Sequence, residues 1–93
     1  MRAKKIDVNQ PTLVKQLRQC GFSVAVTSQL GNGFPDLVVS RNGKNLLVEI
    51  KDPDKPPSAR KLTPDEEKFH NTWQGKVIVA MDVQDVLNEF EKL

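Results

Sequence analysis

The chain has 93 residues and a single cysteine, which indicates one small domain, residues 1–93, that is not built on disulfide bonds. Lysine and arginine number 14 against 12 acidic residues, so a net charge of +2 neither requires nor excludes a nucleic-acid partner. The basic residues concentrate in an N-terminal tail, residues 1–8, and between positions 51 and 68. The longest apolar run, residues 77–81, is too short to span a membrane, and no apolar stretch follows the basic start. We therefore expect a cytoplasmic protein.

The first quarter of the chain predicts a helix followed by a strand. Apolar residues at helical spacing indicate a helix over residues 11–20, and either Asn9 or Gln10 is its expected N-cap. Cys20 ends the apolar face of this helix and is expected in the core. Residues 22–27 alternate and are rich in β-branched side chains, which is typical of a strand.

A β-hairpin is predicted next. Residues 36–40 and 45–51 are apolar runs that flank Asn42 and Gly43, the strongest short-range hairpin signal. With these two as the turn, Asp36 faces Glu49 in a pair that is not hydrogen-bonded, in which the Cα atoms lie about 4.5 Å apart. Lys51 projects from the same face, because side chains alternate along a strand. A turn longer or shorter by one residue would instead place the two acids on opposite faces.

The second half of the chain predicts helix, strand and helix. A proline-containing loop at residues 52–61 precedes the capping box Thr63-Pro64-Asp65-Glu66, which opens a helix. Trp73 at its end is expected in the core rather than as a surface for base stacking. Residues 76–80 are typical of a short buried strand, and an amphipathic helix with Asp82 as its expected N-cap follows. The whole order predicts an α/β fold with a mixed central sheet flanked by helices.

The facing acids carry a chemical implication. Two carboxylates directly opposite each other repel, and a sequence selected for folding alone would normally avoid the pair. A divalent cation turns that repulsion into attraction, and Mg²⁺ favours one or two carboxylates together with waters and phosphate oxygens. Asp36, Glu49 and Lys51 therefore suggest phosphodiester hydrolysis assisted by Mg²⁺, or by Mn²⁺ in its place. The alternative interpretation of the three residues is a surface salt bridge.

These residues also resemble a known signature. Gly33-Phe34-Pro35-Asp36, followed by Glu49-Ile50-Lys51, is similar to the Pro-Asp…(Asp/Glu)-x-Lys pattern of the restriction-endonuclease-like PD-(D/E)XK superfamily. With Leu62-Thr63-Pro64 before a helix, the chain resembles the virus-type replication–repair nuclease (VRR-NUC) branch, specifically its small stand-alone phage-like members. It is also similar to archaeal Holliday-junction resolvases. The resemblance covers roughly residues 9–80, and it implies a restriction-endonuclease-like core of order αβββαβα, in the host cytoplasm if the chain is phage-encoded.

The resemblance implies roles for the matching residues. Asp36 and Glu49 would be metal ligands together with the Ile50 carbonyl, and Lys51 would be the catalytic lysine. Gln10 stands where family members often have a glutamate, and it either holds a metal-bound water or only caps the helix. Related nucleases carry a glutamine and a tyrosine where this chain has Glu66 and His70, but the capping box already accounts for Glu66. The candidate DNA contacts are Ser28, Lys55, Arg60, Lys61 and His70, of which His70 is alternatively a structural residue.

The expected function is that of a metal-dependent DNA endonuclease with one active site per chain. Stand-alone members of the resembled branch act as symmetric dimers, which implies a homodimer that cuts branched DNA such as a four-way junction. The basic loop at residues 51–61 predicts salt-sensitive binding that is largely independent of sequence. The competing hypothesis is a catalytically inactive nucleic-acid-binding domain with the same fold, which would show no Mn²⁺ stabilisation that depends on Asp36 and Glu49.

Overall fold

Residues 6–93 are described by a computed structural model, in which four strands form one mixed sheet. Strands β1 (Ser23–Val26), β2 (Leu37–Arg41) and β3 (Lys44–Ile50) pair antiparallel in that order, and β4 (Val77–Ala80) lies parallel to β3. The helices are α1 (Gln10–Gln19), α2 (Pro64–Thr72) and α3 (Val83–Phe90), with a 3₁₀ helix at Pro57–Arg60. The predicted α/β class with a mixed sheet is confirmed. The basic residues predicted for the N-terminal tail, at positions 2, 4 and 5, lie outside the described residues.

The hairpin between β2 and β3 has the predicted register. Asn42 and Gly43 occupy the turn with φ of 54° and 75°. Positive φ at both central positions is the geometry that Asn-Gly favours, and its twist matches that of the flanking strands. Arg41 pairs with Lys44 at the turn, and the same register continues to the first residue of β2. When this register is extended by one residue beyond the Leu37–Val48 pair, Asp36 lies opposite Glu49.

The hydrophobic core lies between one face of the sheet and helices α1 and α3. Alternation along β3 sends Leu46, Val48 and Ile50 into this core, whereas Leu47 and Glu49 point to the other face. The helices contribute the buried side chains Leu13, Val14, Leu17, Val86 and Phe90. Each fully buried aliphatic or phenyl side chain stabilises the fold by about 1.5 to 3 kcal/mol. Within residues 6–93, no helix has the length and apolar character needed to cross a membrane.

Side-chain caps define the starts of the later helices, as predicted. Thr63 and Glu66 form a complete capping box at the start of α2. Asp82 caps α3 by accepting a hydrogen bond from the Asp85 N–H at 2.9 Å. Such bonds satisfy backbone donors that have no partner inside the helix.

Two residues that we expected in the core lie at the surface, and these predictions are wrong. Cys20 is exposed at the C-cap of α1, where Gly21, with φ of 87°, turns the chain and Phe22 rather than Cys20 enters the core. Trp73 is 46% exposed because it follows the last residue of α2. Its indole stacks on Phe69 with ring centroids 5.0 Å apart.

Gly33 and Gly43 provide a matched test of how tightly the turn before β2 packs on α2. Both have positive φ, 78° and 75°, but a Cβ on Gly33 would lie 2.2 Å from the Asp65 carbonyl oxygen, whereas one on Gly43 would meet nothing within 4 Å. We expect Gly33→Ala to lower the free energy of unfolding by about 3 kcal/mol and Gly43→Ala by about 1 kcal/mol. Urea denaturation measures both, and equal losses would contradict this packing.

Candidate active site

The candidate site lies at the end of the hairpin, on the sheet face opposite the core. Asp36 precedes β2, Glu49 belongs to β3 and Lys51 follows it, and their exposed fractions are 4%, 1% and 8%. Positions 49 and 51 share a face because they differ by two residues, and the register adds position 36 to it. The structure thus brings the three sequence-predicted residues together. Their burial contradicts the alternative of a surface salt bridge.

Asp36 is held in place by the backbone on both sides. Its Oδ2 accepts a hydrogen bond from the Ile50 N–H at 2.8 Å. Its own carbonyl oxygen accepts a hydrogen bond from the Thr27 N–H, also at 2.8 Å. If β2 began earlier in the chain, one of its backbone carbonyls would accept the Ile50 N–H, and the Asp36 carboxylate takes the place of that acceptor. The carboxylate therefore lies directly against the end of β3.

The Ile50 carbonyl is directed toward the same end of the hairpin. The Lys51 N–H donates to the Ala80 carbonyl at 3.0 Å, so odd-numbered residues of β3 bond to β4. Backbone groups of adjacent residues in a strand point in opposite directions. The Ile50 N–H and C=O accordingly point toward β2, where the N–H meets Asp36.

The Lys51 ammonium group is held by a carboxylate from α2. Its Nζ lies 2.8 Å from Glu66 Oε1 and 3.9 Å from Glu49 Oε2. Glu66 is 4% exposed, and the same Oε1 accepts the Thr63 N–H of the capping box at 2.9 Å. The sequence predicted the capping box but not the contact with Lys51, because a capping pattern records only bonds within a few residues.

A cavity of about 250 Å³ opens beside these side chains. Among the described residues, its lining carries four carboxylates and two ammonium groups, a formal charge of −2. Asp7 and Lys55 form an ion pair at the cavity, with 2.9 Å between Oδ1 and Nζ. Lys51 likewise lies within ion-pair distance of two of the other carboxylates, those of Glu49 and Glu66.

The donor set fits a hard divalent cation. Mg²⁺ prefers oxygen ligands and commonly combines one or two carboxylates with waters and phosphate oxygens. Asp36, Glu49 and the Ile50 carbonyl offer such oxygens, and both carboxylates line the cavity. Within residues 6–93, no three His, Cys, Asp or Glu side chains are grouped so that they could hold a metal ion. A metal here would accordingly need backbone and solvent oxygens besides two carboxylates.

Gln10 and Ser28 form a buried polar pair that does not line the cavity. Gln10 Nε2 donates to Ser28 Oγ at 3.1 Å, and Ser28 is fully buried, which leaves its side chain no exposed surface for DNA. Gln10 Oε1 has no hydrogen-bond partner among the described residues. Asn9 occupies the N-cap position without a side-chain cap bond, and its Nδ2 donates instead to the Lys51 carbonyl at 3.1 Å. A role for Gln10 in holding a metal-bound water stays a prediction.

The candidate DNA-binding cations differ in their surroundings. Lys55 lines the cavity, and its hydrogen bond to Asp7 and the Asp7 charge raise the pKa of the ammonium group, which keeps it charged. Lys61 is exposed. Arg60 is half-buried, with Nη1 3.5 Å from Met81 Sδ. Lys55 and Lys61 are therefore the more accessible to a phosphate.

His70 lies one turn after Glu66 on α2 and is half-buried. Its Nε2 is buried and has no hydrogen-bond partner within residues 6–93. Burial has the largest effect on the His70 imidazole and lowers its pKa below the usual 6.5. The Glu66 charge raises this pKa and the Lys51 charge lowers it, but both effects are smaller than that of burial. His70 is thus favoured in its neutral form, from which a direct ionic contact with phosphate gains little.

We expect His70→Gln to reduce the loss of stability on acidification. Since the folded pKa lies below 6.5, the unfolded chain takes up the histidine proton first, and stability falls as the pH drops through the folded pKa. The free energies of unfolding of both proteins at about pH 7.5 and about pH 5.5 measure the effect. Equal losses in the two proteins would contradict it.

Comparisons with known proteins add no family assignment. No family model matches the chain, and neither curated proteins nor solved structures give a significant match. The resemblance to the VRR-NUC branch thus rests on the motif residues alone. Any functional inference must come from the geometry of Asp36, Glu49, Lys51 and Glu66.

Proposed function

We propose that this protein is a metal-dependent DNA endonuclease of the restriction-endonuclease-like type, related to the VRR-NUC branch. The observation that carries the proposal is the convergence of Asp36, Glu49 and Lys51 in one buried cluster beside a cavity. Burying like charges together costs stability unless compensating groups are present, so such a cluster indicates a function. The order of helices and strands around the mixed sheet supports the assignment.

Each residue of the cluster has a distinct role in the proposed reaction. Asp36, Glu49 and the Ile50 carbonyl would hold Mg²⁺ or Mn²⁺, which supplies Lewis-acid activation of the phosphodiester and of the attacking water. Lys51 presents a positive charge to the phosphate, where negative charge develops during the displacement. Asp36 is kept in position by the Ile50 N–H, and Lys51 by Glu66.

The proposed substrate is branched DNA, cut by a symmetric homodimer. One active site of this size suits the cutting of one strand. A two-fold symmetric dimer would present two such sites to a symmetric junction. Lys55 at the cavity and the exposed Lys61 are placed for phosphate contacts, which carry no sequence information. Binding should therefore weaken steeply with salt.

The test is strand cutting of a labelled four-way junction and a matched linear duplex in Mg²⁺, Mn²⁺ or EDTA. We expect cutting that requires metal, stops in EDTA and is faster on the junction. Sedimentation of the protein alone and with the junction measures the expected dimer. If the folded protein binds both DNAs and cuts neither at any metal concentration, the proposal fails, and a catalytically inactive nucleic-acid-binding domain explains the fold better.

A further inference from the structure

We infer that Glu66 is a positioning residue for Lys51, which fixes the ammonium group beside Glu49 through the first turn of α2. The catalytic consequence of this inference rests on the proposed nuclease function, whereas the contact itself does not. Nothing in the motif that suggested the site includes Glu66 as a partner of the lysine.

The contact is short and shielded from water. Lys51 Nζ lies 2.8 Å from Glu66 Oε1, and the two side chains are 10% and 6% exposed. A lysine side chain is flexible and has no directional preference of its own, so its ammonium group takes its position from the acceptors around it. A charge-assisted hydrogen bond in a water-poor site is among the stronger ones. Glu49, at 3.9 Å from the Nζ, is too distant for a hydrogen bond and cannot fix it in the same way.

The carboxylate that holds the lysine is itself tied to the start of a helix. Glu66 Oε1 accepts the Thr63 N–H at 2.9 Å in addition to the lysine. The Glu66 N–H donates to Thr63 Oγ1 at 3.3 Å, which completes the capping box. Because Glu66 is locked at both its backbone and its side chain, it offers Lys51 an acceptor at a defined point.

The same helix start also borders the segment that leads to Asp36. A Cβ on Gly33 would lie 2.2 Å from the Asp65 carbonyl oxygen, which shows that the turn packs directly against the first turn of α2. Only two residues separate Gly33 from the proposed metal ligand Asp36. The first turn of α2 thus contacts both halves of the cluster, the turn before Asp36 by packing and Lys51 by the Glu66 hydrogen bond.

A purely structural role for Glu66, as the helix cap alone, makes a different prediction. Glutamine also serves at the third position of a capping box, so Glu66→Gln keeps the cap while it removes the charge that pairs with Lys51. Glu67→Gln is the matched control, because Glu67 is the next residue of the same turn, is exposed and undergoes the same change of charge. The control does not line the cavity.

The first readout does not depend on nuclease activity. In ¹⁵N-labelled protein, a buried and hydrogen-bonded ammonium group exchanges its protons slowly and gives an observable Nζ signal, which Lys51→Arg assigns by its loss. We expect this signal in the wild type and in Glu67→Gln, and its loss in Glu66→Gln. An unchanged signal in Glu66→Gln would overturn the inference, whether or not the protein cuts DNA.

The second readout is strand cutting at saturating metal. We expect Glu66→Gln to lower kcat by about 10- to 100-fold with little change in KM for DNA, while Glu67→Gln keeps the wild-type kcat. An unchanged kcat in Glu66→Gln would overturn the positioning role even if the Nζ signal is lost. If the wild type cuts no DNA and yet the Nζ signals behave as expected, the proposed function fails and the contact between Glu66 and Lys51 stands.

Discussion

Lys51→Met is expected to reduce the rate of metal-dependent strand cutting by about 100- to 1000-fold. The substitution keeps most of the aliphatic stem but removes the positive charge that faces Glu49 and Glu66. Without that charge, the negative charge that develops on the phosphate loses a fixed counter-charge in a water-poor site. Single-turnover cutting of the labelled junction at saturating DNA and metal measures the loss.

Lys61→Met is the matched control for this experiment. Lys61 carries the same charge but is exposed, so its loss should weaken DNA binding and leave the single-turnover rate unchanged. If it contacts one phosphate, the slope of log K against log salt falls by about 0.9. Removing one partner of a buried charge pair can cost about 3 kcal/mol or more, so circular dichroism should first show that Lys51→Met is folded. In a folded Lys51→Met protein, a wild-type rate would refute the catalytic role of Lys51.

Glu49→Gln is expected to abolish stabilisation by Mn²⁺. The wild type should gain about 2.7 kcal/mol at a metal concentration one hundred times the Kd, which raises the Tm of a domain of this size by roughly 10 to 20 °C. Without metal, Glu49→Gln loses the repulsion from the Asp36 carboxylate across the hairpin but also the attraction of Lys51 at 3.9 Å, so each protein is compared with its own metal-free Tm. Thermal unfolding with and without Mn²⁺ measures the rise in Tm.

Glu91→Gln serves as the control, since Glu91 is exposed and follows α3 on the core side of the sheet. It should show the full wild-type rise in Tm. Asp36→Asn should behave like Glu49→Gln toward Mn²⁺ while its amide oxygen still accepts the Ile50 N–H. If Mn²⁺ raises the Tm of all four proteins equally, the metal binds elsewhere, and the assignment of Asp36 and Glu49 as ligands is wrong.

The central part of the candidate site could be predicted because one local signal determines it. Asn42 and Gly43 form a two-residue turn, and that turn length alone determines which residues of the two strands face each other. This register places Asp36 opposite Glu49, and the alternation of side chains along β3 puts Lys51 on the same face as Glu49. The caps at Thr63 and Asp82 were predictable for the same reason, since each is a bond across three residues.

Other features depended on how distant elements dock. Cys20 and Trp73 lie at helix ends, where spacing along the chain cannot show whether the capping side chain still faces the core. The pairing of Gln10 with Ser28 joins residues 18 positions apart. No pattern within a single helix or strand encodes such a contact.

The sequence by itself determined the class of fold, the hairpin register and the meeting of two acids with a lysine, because these follow from the period of each strand and from one turn. Only the tertiary structure decided that the cluster is buried and that Glu66 holds Lys51. Those outcomes depend on where the start of α2 packs against the turn at Gly33. That position is set by contacts between segments more than thirty residues apart, which no local pattern records.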